Sequence, residues 1–480
     1  MGSTYRRTWT GVALGLLLAL PGQLTAQTAP PGVVQQREAV ERLDQPRGQV
    51  VNEVRFFGDV ATVRKGTEFG GWTSVTALTC SEIDHDKTTQ DPVNQVLLFD
   101  QRLWVRHVHS SRSHAYLRLR KLNFDVNTAP GAATLDLATK EQLDVDLAHL
   151  EFPVGATQLR LGRLYLRVGR GLVLSDVLDG VRARYSSSAG VTVEGFAGTT
   201  LHRSDNPDYQ VAGFDRGHND RLFLALEGQY VLPSNVRVFA YAVDQTDRTK
   251  SENPAQNLLD FRYQSSYMGG GLEGWLGKRT QYAVELVHES GSSNSTRTPP
   301  GRAVIDAYAA TASLWHLFEG ETFPTLSFDY AIGSGDANRL SVTDSMNAGA
   351  IAPLGDHNFQ YFGRFEGGLA LAPLLSNLEV FRLGFQFKPL AEYLEAPTDL
   401  VLGLKVSSYH KDQITCPISD VLATLPNAQV GYGSDLYGAW KALSDVDVLV
   451  EYGAFKPGPA YPVTNRDTTH KFAATLTIAY

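Results

Sequence analysis

The sequence predicts an all-β fold: a transmembrane antiparallel β-barrel of about 18 strands, within a range of about 16 to 18. Three observations predict it. Apolar and polar residues alternate along most of the chain, short and long connections alternate between the strands, and the chain ends in a strand closed by an aromatic residue. A closed barrel suits a membrane because it pairs every backbone hydrogen bond.

The alternation has a period of two, with an apolar face and a face that carries charges of both signs. Leu97, Phe99, Leu103 and Val105 oppose Asp100, Arg102 and Arg106, whereas Leu143, Val145 and Leu147 oppose Asp144 and Asp146. Val181, Ala183 and Tyr185 oppose Arg182 and Arg184. A soluble sandwich has the same alternation with water on its polar face, so this observation alone leaves that fold open.

The connections between the strands favour the membrane barrel. We expect short turns at 109–113, 153–156, 187–189, 231–234, 277–279, 318–322, 389–398 and 442–444. Long loops are expected at 64–94, 127–140, 170–178, 200–219, 246–264, 291–303, 334–376, 411–427 and 456–467. Short periplasmic turns and long extracellular loops are typical of outer-membrane barrels. With a first strand near 49–63, the pattern predicts that both barrel ends lie on the periplasmic side.

The two ends of the chain indicate export and membrane assembly. Arg6 and Arg7 precede a short apolar run at 11–20, which predicts a signal peptide over 1–26, cleaved before Gln27. A periplasmic N-terminal segment (27–48) and the barrel (49–480) follow. Phe472, Ala474, Leu476, Ile478 and Tyr480 share one face of the last strand, which resembles the assembly signal of bacterial outer-membrane proteins. We therefore expect the outer membrane as location, with its lipid and the assembly machinery as partners.

Composition excludes several other classes of protein. The net charge is −8, whereas a nucleic-acid binder needs a basic surface. Only 43% of the residues are apolar, which excludes a bundle of membrane helices. The two cysteines exclude a disulfide scaffold and leave one bridge, between Cys80 and Cys416, as an open alternative.

The polar face, if it points inward, supplies a candidate solute pathway. The inward arginines by phase are Arg102, Arg106, Arg118, Arg120, Arg160, Arg182, Arg184 and Arg237, and a bulge at Gly162 would add Arg163 and Arg167 while turning Leu164, Leu166 and Val168 outward. The facing acids are Asp100, Asp144, Asp146, Glu194, Glu227 and Glu285. Such arginines suit carboxylate recognition, because a guanidinium binds a carboxylate bidentately. The alternative is a ladder of charges that pair with each other across neighbouring strands.

No sequence motif indicates catalysis or a cofactor. Residues 269–274 fit G-x-G-x-x-G but lie in strand-like sequence, so we reject a dinucleotide site and expect these glycines to admit a bulky neighbour. The acidic stretch Glu82, Asp84, Asp86 and Asp91 leaves loop calcium as a weaker alternative, without EF-hand spacing. His107, His109 and His114 bracket a turn, where a wet interface is a better explanation than a metal. We predict no enzyme, no cofactor and no metal.

Four segments resemble the alginate-export family of bacterial outer-membrane proteins. They are 159–185, 326–336, 353–363 and 430–458. The matching residues are Gly162, Arg163, Asp179, Gly180, Val181, Ser334, Gly335, Asp336, His357, Gly363, Gly431, Asp435, Phe455, Pro457 and Gly458. Leu164 stands where the family has Gln, and Gly433 where it has Glu. The resemblance implies a monomeric 18-stranded barrel that carries a polysaccharide or a small anionic solute.

These observations make a channel for an anionic polysaccharide or small organic anions the leading function. Loops such as 334–376 are expected to fold inward as constrictions. The alternatives are a general porin, an outer-membrane hydrolase whose residues come from separate strands, and a soluble carbohydrate-binding or carbohydrate-cleaving β protein.

Overall fold

The computed structural model is a closed antiparallel β-barrel of 18 strands, which confirms the predicted fold. Each strand pairs with its neighbours along the chain, and β1 also pairs with β18, which closes the barrel. The structure describes residues 66–82, 84–88, 93–110, 112–128, 142–200, 220–234, 236–248, 263–295, 301–339, 342, 355–391, 393 and 399–480. No helix within these ranges is long and apolar enough to cross a membrane.

The strands contain between 9 and 18 residues. They are β1 Gly66–Ser81, β2 Val93–Ser110, β3 Ser113–Thr128, β4 Gln142–Val154, β5 Thr157–Arg167, β6 Ser175–Ser186, β7 Val191–Thr200, β8 Arg221–Val231, β9 Arg237–Asp247, β10 Gln264–Leu276, β11 Thr280–Ser295, β12 Gly301–Leu317, β13 Thr325–Gly333, β14 Leu378–Phe387, β15 Asp399–His410, β16 Gln429–Lys441, β17 Val446–Pro457 and β18 Thr469–Ala479. A 3-10 turn at Val463–Asn465 lies between β17 and β18.

All eight predicted short turns join the strand pairs for which they were predicted, from β2–β3 to β16–β17. They define the short-turn end of the barrel, and the other connections define its long-loop end. Both barrel termini lie at the short-turn end, as expected. Gly66 pairs with Val108 next to the β2–β3 turn, and Gly71 and Tyr480 exchange two backbone hydrogen bonds of 2.8 and 3.0 Å.

Two boundaries differ from the sequence prediction. The first strand is Gly66–Ser81, inside the region 64–94 that was expected to be a loop. Its buried inward face includes the apolar Trp72, Leu78 and Cys80, and its outer face includes Thr73 and Thr79, so the two faces do not separate by polarity. The expected loop 291–303 shrinks to 296–300, because β11 and β12 continue past the apolar band. The predicted signal peptide, the segment 27–48 and the range 49–63 lie outside the described residues.

The two faces of the wall follow the predicted alternation over most strands. Apolar side chains such as Leu103, Leu286 and Leu436 are exposed on the outer face, and polar side chains face the interior. The expectation for Leu147 is wrong: this residue is buried, because a register shift opposite Arg118 and Leu119 reverses the phase of β4.

The interior of the barrel contains an apolar core built by two loop segments that fold inward. These inner segments are 168–174, between β5 and β6, and 355–377, between β13 and β14. They pair with each other through a parallel bridge between Leu174 and Phe362. One buried cluster joins both segments to the inner faces of β5 to β13, and a second joins 370–371 and later loops to β14 to β17. The expected infolding of loop 334–376 is thus present in the described residues.

Candidate functional site: the barrel lumen

A group of arginines and aspartates lines the inner face of β2, β3 and β4. Arg118 Nε lies 2.5 Å from Asp146 Oδ2, and Arg120 Nη2 lies 2.9 Å from Asp100 Oδ2. Arg102 contacts both carboxylates, at 3.1 Å to Asp100 and 3.4 Å to Asp146. These five side chains therefore form one charge network across three strands.

Trp72 of β1 supports this network from the side. The guanidinium carbons of Arg102 and Arg118 lie 5.5 and 5.3 Å from the centroid of its ring. The electron-rich face of the indole stabilises both cations and fixes their orientation.

The pairing of charges continues around the wall towards β10. Arg160 Nε donates to Glu151 Oε2 at 2.6 Å, Arg182 Nη2 to Glu194 Oε2 at 2.5 Å, and Arg237 lies 3.4 Å from Glu273. We call this set the arginine ladder: Arg102, Arg118, Arg120, Arg160, Arg182 and Arg237 with their carboxylates. Each arginine in it has an acidic partner, which is the arrangement of the paired-ladder alternative.

Three other predicted residues of this wall have different surroundings. Arg184 and Asp144 lie in register with Glu194 and Arg120 respectively. Arg106 lies in register with Tyr116 on β3 and Glu68 on β1, and its Nε has no hydrogen-bond partner among the residues that the structure describes.

The predicted bulge at Gly162 is wrong. Pairing of β4 with β5 runs through Gly162 without a register shift, so the phase of β5 does not change. Arg163 instead lies on the outer face and pairs with Asp179 at 2.9 Å. Leu164 and Leu166 are each 1% exposed and face inward. The physical reason is the inner segment 168–174, which gives these leucines a dry surface inside the barrel.

Arg167 is the last residue of β5, directly before the first inner segment, and Arg170 lies in the middle of that segment. The Arg167 guanidinium donates to the Arg170 backbone carbonyl at 2.6 Å. Arg170 Nη1 reaches Thr311 on β12 at 3.4 Å, so this segment extends across the interior from β5.

Two carboxylates of the wall hold the first inner segment in place. Glu227 Oε2 accepts the backbone N–H of Gly169 at 2.9 Å, and Glu285 Oε1 accepts that of Arg170 at 3.2 Å. Gly169 has a φ of +55°, and a Cβ at this residue would lie 2.3 Å from Glu285 Oε1. Glycine is therefore required for this close approach.

The second inner segment is anchored by two buried acids. Glu289 accepts hydrogen bonds from the Gln360 backbone at 2.9 Å, from the Tyr267 hydroxyl at 3.0 Å and from the Tyr263 hydroxyl. Arg339 donates to Asp356 through Nε at 2.9 Å and Nη2 at 2.7 Å, with both side chains fully buried. Burial alone would raise the pKa of the Asp356 carboxyl, but the Arg339 guanidinium holds it below its usual range.

The residues of the family resemblance surround the second inner segment. Ser334 Oγ donates to the His357 carbonyl at 2.7 Å, and Asp336 Oδ2 accepts the His357 N–H at 3.0 Å. Asp435 accepts the Leu369 N–H at 3.1 Å, and Phe455 is fully buried beside Tyr409. These contacts fix where the segment crosses the lumen.

The glycines of the resemblance act by close packing. A Cβ on Gly335 would lie 2.0 Å from Asn377 Oδ1, and one on Gly180 would lie 2.1 Å from the Ala197 carbonyl. Gly162 and Gly180 face each other across β5 and β6, and the Gly458 N–H, after Pro457, donates to Val430 at 2.7 Å.

Arg364 is a site residue that the sequence did not predict. Its backbone N–H donates to the Gly171 carbonyl at 2.9 Å, which places it where the two inner segments meet. Its side chain is exposed and has no acidic partner among the described residues. Two residues further on, Glu366 contacts Lys405 of β15 at 3.6 Å. No periodicity marks Arg364, because it lies in an irregular loop.

A cluster that resembles a catalytic triad lies at the closure of the barrel. Thr469 Oγ1 is 2.6 Å from His85 Nδ1, and His85 Nε2 is 2.9 Å from Asp420 Oδ2. The Thr469 hydroxyl donates to the Glu82 carbonyl at 2.6 Å, so its proton points away from His85. The cluster therefore ties loops together, and the Tyr461 hydroxyl joins it by donating to Asp420 at 3.0 Å.

The remaining expectations concern metals, cysteines and the glycine-rich stretch. Among the described residues no group of three His, Cys, Asp or Glu side chains is arranged to hold a metal, and Asp91 lies outside them. Cys80 and Cys416 are free and buried, and burial raises the pKa of the Cys416 thiol to about 12. As expected for close approach, a Cβ on Gly269 would lie 2.3 Å from the Tyr241 ring.

Comparison with known proteins places this geometry in a family. The model of the family described as alginate export matches residues 88–475. No curated protein matches the chain as a relative.

Among solved structures the barrel is similar to Pseudomonas aeruginosa OccK11 (OpdR), with 12% identity, a TM-score of 0.52, and 87% of this chain and 97% of that one covered. It is also similar to P. aeruginosa OccK5 (OpdH), with 9% identity, a TM-score of 0.52 and coverage of 86% and 98%. It is likewise similar to the P. aeruginosa OpdK structure with vanillate, with 9% identity, a TM-score of 0.52 and coverage of 86% of this chain and 98% of that one. At this identity the likeness concerns the fold.

Proposed function

The chain belongs to the alginate export family of bacterial outer-membrane β-barrels, and from this premise we propose the solute that its channel passes. The solute is an anionic polysaccharide of the alginate-like polyuronate class, or a small organic anion, that crosses by diffusion through the arginine-bearing lumen. The chain acts as a monomer, its surface contacts outer-membrane lipid, and the C-terminal strand ending at Tyr480 is its signal to the assembly machinery.

The observation that carries the proposal is the unneutralised Arg364 at the meeting point of the inner segments. Because these segments fill part of the lumen and the Arg364 side chain is exposed, we infer that a solute passes close to this guanidinium. A guanidinium forms two parallel hydrogen bonds with a carboxylate, and a narrow low-dielectric passage strengthens the attraction.

The arginine ladder supports the same solute class in a different way. A polyuronate presents one carboxylate per sugar, so it can exchange with the ladder carboxylates Asp100, Asp146 and Glu151 one contact at a time. Many weak sites in series allow passage, whereas one tight site would hold the solute.

A general porin is the second candidate, and the pairing within the ladder favours it. Each ladder arginine contacts an acid, and six arginines share five carboxylates, so the ladder has little net charge. A porin of this kind would conduct ions with weak selectivity and would not distinguish acidic from neutral sugars.

The test is single-channel conductance of the refolded protein in a planar bilayer. The reversal potential is measured in a salt gradient, and oligouronates are then added, with neutral oligosaccharides of equal length as the control. Anion preference together with block by oligouronates alone supports the proposal. Block by neither sugar, or equal block by both, supports the general porin and contradicts the proposed solute.

A further inference from the structure

The outer face of the barrel carries a groove near its long-loop end. It crosses strands β13 to β17 and has a volume of about 610 Å³. Most of its lining side chains are those that alternate to the outside of the wall, among them Phe381, Leu383 and Tyr432, which are 39%, 47% and 55% exposed. The groove therefore opens towards the surrounding lipid, and the lumen is not part of it.

Small residues on adjacent strands produce the groove. Ser434 pairs with Ala454 across β16 and β17, and Ser408 pairs with Tyr432 across β15 and β16. These short side chains form the floor, and the large rings and branched side chains beside them form the walls. A floor of this kind leaves room for one extended aliphatic chain against the wall, where dispersion contacts favour filling it.

One end of the groove is cationic. Lys456 is exposed there, in register with Tyr432, and its Nζ donates to the Arg466 backbone carbonyl at 2.5 Å. The Arg466 guanidinium contacts only backbone carbonyls among the described residues, at 2.9 Å to Tyr461 and 3.4 Å to Pro459. Asp467, the acid of this rim, is paired with Lys87 at 3.0 Å.

The nearby acid Glu379 lies at the long-loop end of β14, outside the groove lining, and is already engaged. Glu379 accepts a hydrogen bond from the Tyr330 hydroxyl at 2.9 Å. The groove thus has an apolar floor and a positive end beside the long loops, where Asp467 is paired with Lys87 and Glu379 with Tyr330.

We propose that this groove binds one acyl chain of a phosphorylated outer-leaflet lipid of the lipid A type, with its phosphate at Lys456. The long-loop end of an outer-membrane barrel faces the outer leaflet, where such a headgroup lies at the level of Lys456. A lysine near an anionic lipid surface adds attraction without burying its charge. The proposal depends on the location of the barrel and is independent of the solute that the lumen passes.

The test measures lipid retained by the purified barrel, by native mass spectrometry after incubation with lipid A, phosphatidylglycerol or phosphatidylcholine in micelles. We expect one retained lipid A on the wild-type protein and less of the other two lipids. Ser434→Trp fills the floor and should abolish retention, whereas Lys456→Gln should weaken it about fivefold, the worth of one lysine at an anionic surface. Ala454→Leu is a milder filling variant in case Ser434→Trp does not fold, which heat-modifiable gel migration reports.

The matched control is Ala242→Trp, an equally large change at an exposed position on the outer face of β9. It should leave retention unchanged. Equal retention by all variants, or retention that follows acyl content regardless of the phosphate, overturns the proposal. If the wild-type protein is a dimer in the mass spectra and the filled variants lose the dimer rather than a bound lipid, the groove binds a second copy of the chain. That result would also overturn the proposal.

Discussion

The lumen contains two regions whose charges are organised in opposite ways. The arginine ladder lies on regular strands, and each of its arginines has a guanidinium nitrogen no more than 3.4 Å from a carboxylate oxygen. The meeting point of the inner segments lies on irregular chain, and there Arg364 is exposed without an acidic partner in the described part of the chain. The ladder carries many charges and little net charge, whereas the inner segments carry few charges and a local excess.

This difference separates what shapes the pathway from what selects the solute. Paired charges on a rigid wall keep the lumen wet and orient a passing anion, but their fields largely cancel. An unpaired guanidinium in a narrowed passage exerts its full field, because low-dielectric walls focus it. The five predictions below test this division, from the largest expected effect to the smallest.

Separating the two inner segments should have the largest effect. A Cβ at Gly363 would lie 2.0 Å from the Leu172 carbonyl and 2.1 Å from that of Gly171, so Gly363→Val cannot keep the segments in contact. We expect a several-fold rise in single-channel conductance, because pore width limits ion flow. Gly228→Val is the control, since a Cβ there meets nothing within 4 Å. Unchanged conductance in Gly363→Val would mean that the segments do not form the constriction.

Breaking the buried Arg339–Asp356 pair should loosen the second inner segment. Arg339→Ala leaves a buried carboxylate without its partner, which costs about 3–5 kcal/mol in measured cases. The matched control is Arg279→Ala, whose exposed pair with Glu319 is worth about 0–1 kcal/mol. Thermal unfolding followed by circular dichroism compares them, and equal midpoints would contradict the anchoring role.

The same pair predicts a dependence on pH with a defined sign. The pKa of Asp356 is lowered in the folded protein, so its contribution to stability is present above the unfolded value of about 3.9 and is lost as pH falls through the folded value. We therefore expect current noise from segment opening to grow only at acid pH below about 4. Noise that is constant from neutral pH to pH 3 in the wild type would contradict this assignment.

Removing the unpaired charge should change selectivity more than removing a pair. Arg364→Gln should shift the reversal potential towards cations, because it deletes one uncompensated charge at the constriction. The double variant Arg160→Gln with Glu151→Gln removes one charge of each sign from the ladder and should leave the potential nearly unchanged. Both are measured in a gradient of about 0.1 M salt, where screening acts over about 10 Å. A larger shift in the double variant would reverse the proposed division of roles.

The smallest effect is expected on the outer face. Arg163→Gln with Asp179→Asn removes a pair that lies outside the lumen, with the two side chains 27% and 48% exposed. Conductance and selectivity should both stay unchanged. A selectivity shift here would show that Arg163 reaches the pathway after all.

Strand positions could be predicted because each strand repeats a local rule many times. Eight short turns were placed correctly from breaks in a period of two, and the terminal strand from Phe472 to Tyr480 followed the same period. The first strand was misplaced because Trp72, Leu78 and Cys80 face inward while Thr73 and Thr79 face outward, which removes the contrast between its faces. The phase of β5 was misassigned for a different reason, since Leu164 and Leu166 are apolar yet face inward, where they pack on the dry surface of the inner segments.

The sequence by itself determined the barrel, its strand number and the charged face, because alternation and turn spacing are local properties of the chain. Only the tertiary structure decided which charges cancel and which remain. Arg118 and Asp146 belong to different strands. The backbone N–H of Arg364 bonds the carbonyl of Gly171, which is 193 positions earlier in the chain. Such distances depend on how the closed wall and the infolded loops pack together, and no local pattern records that packing.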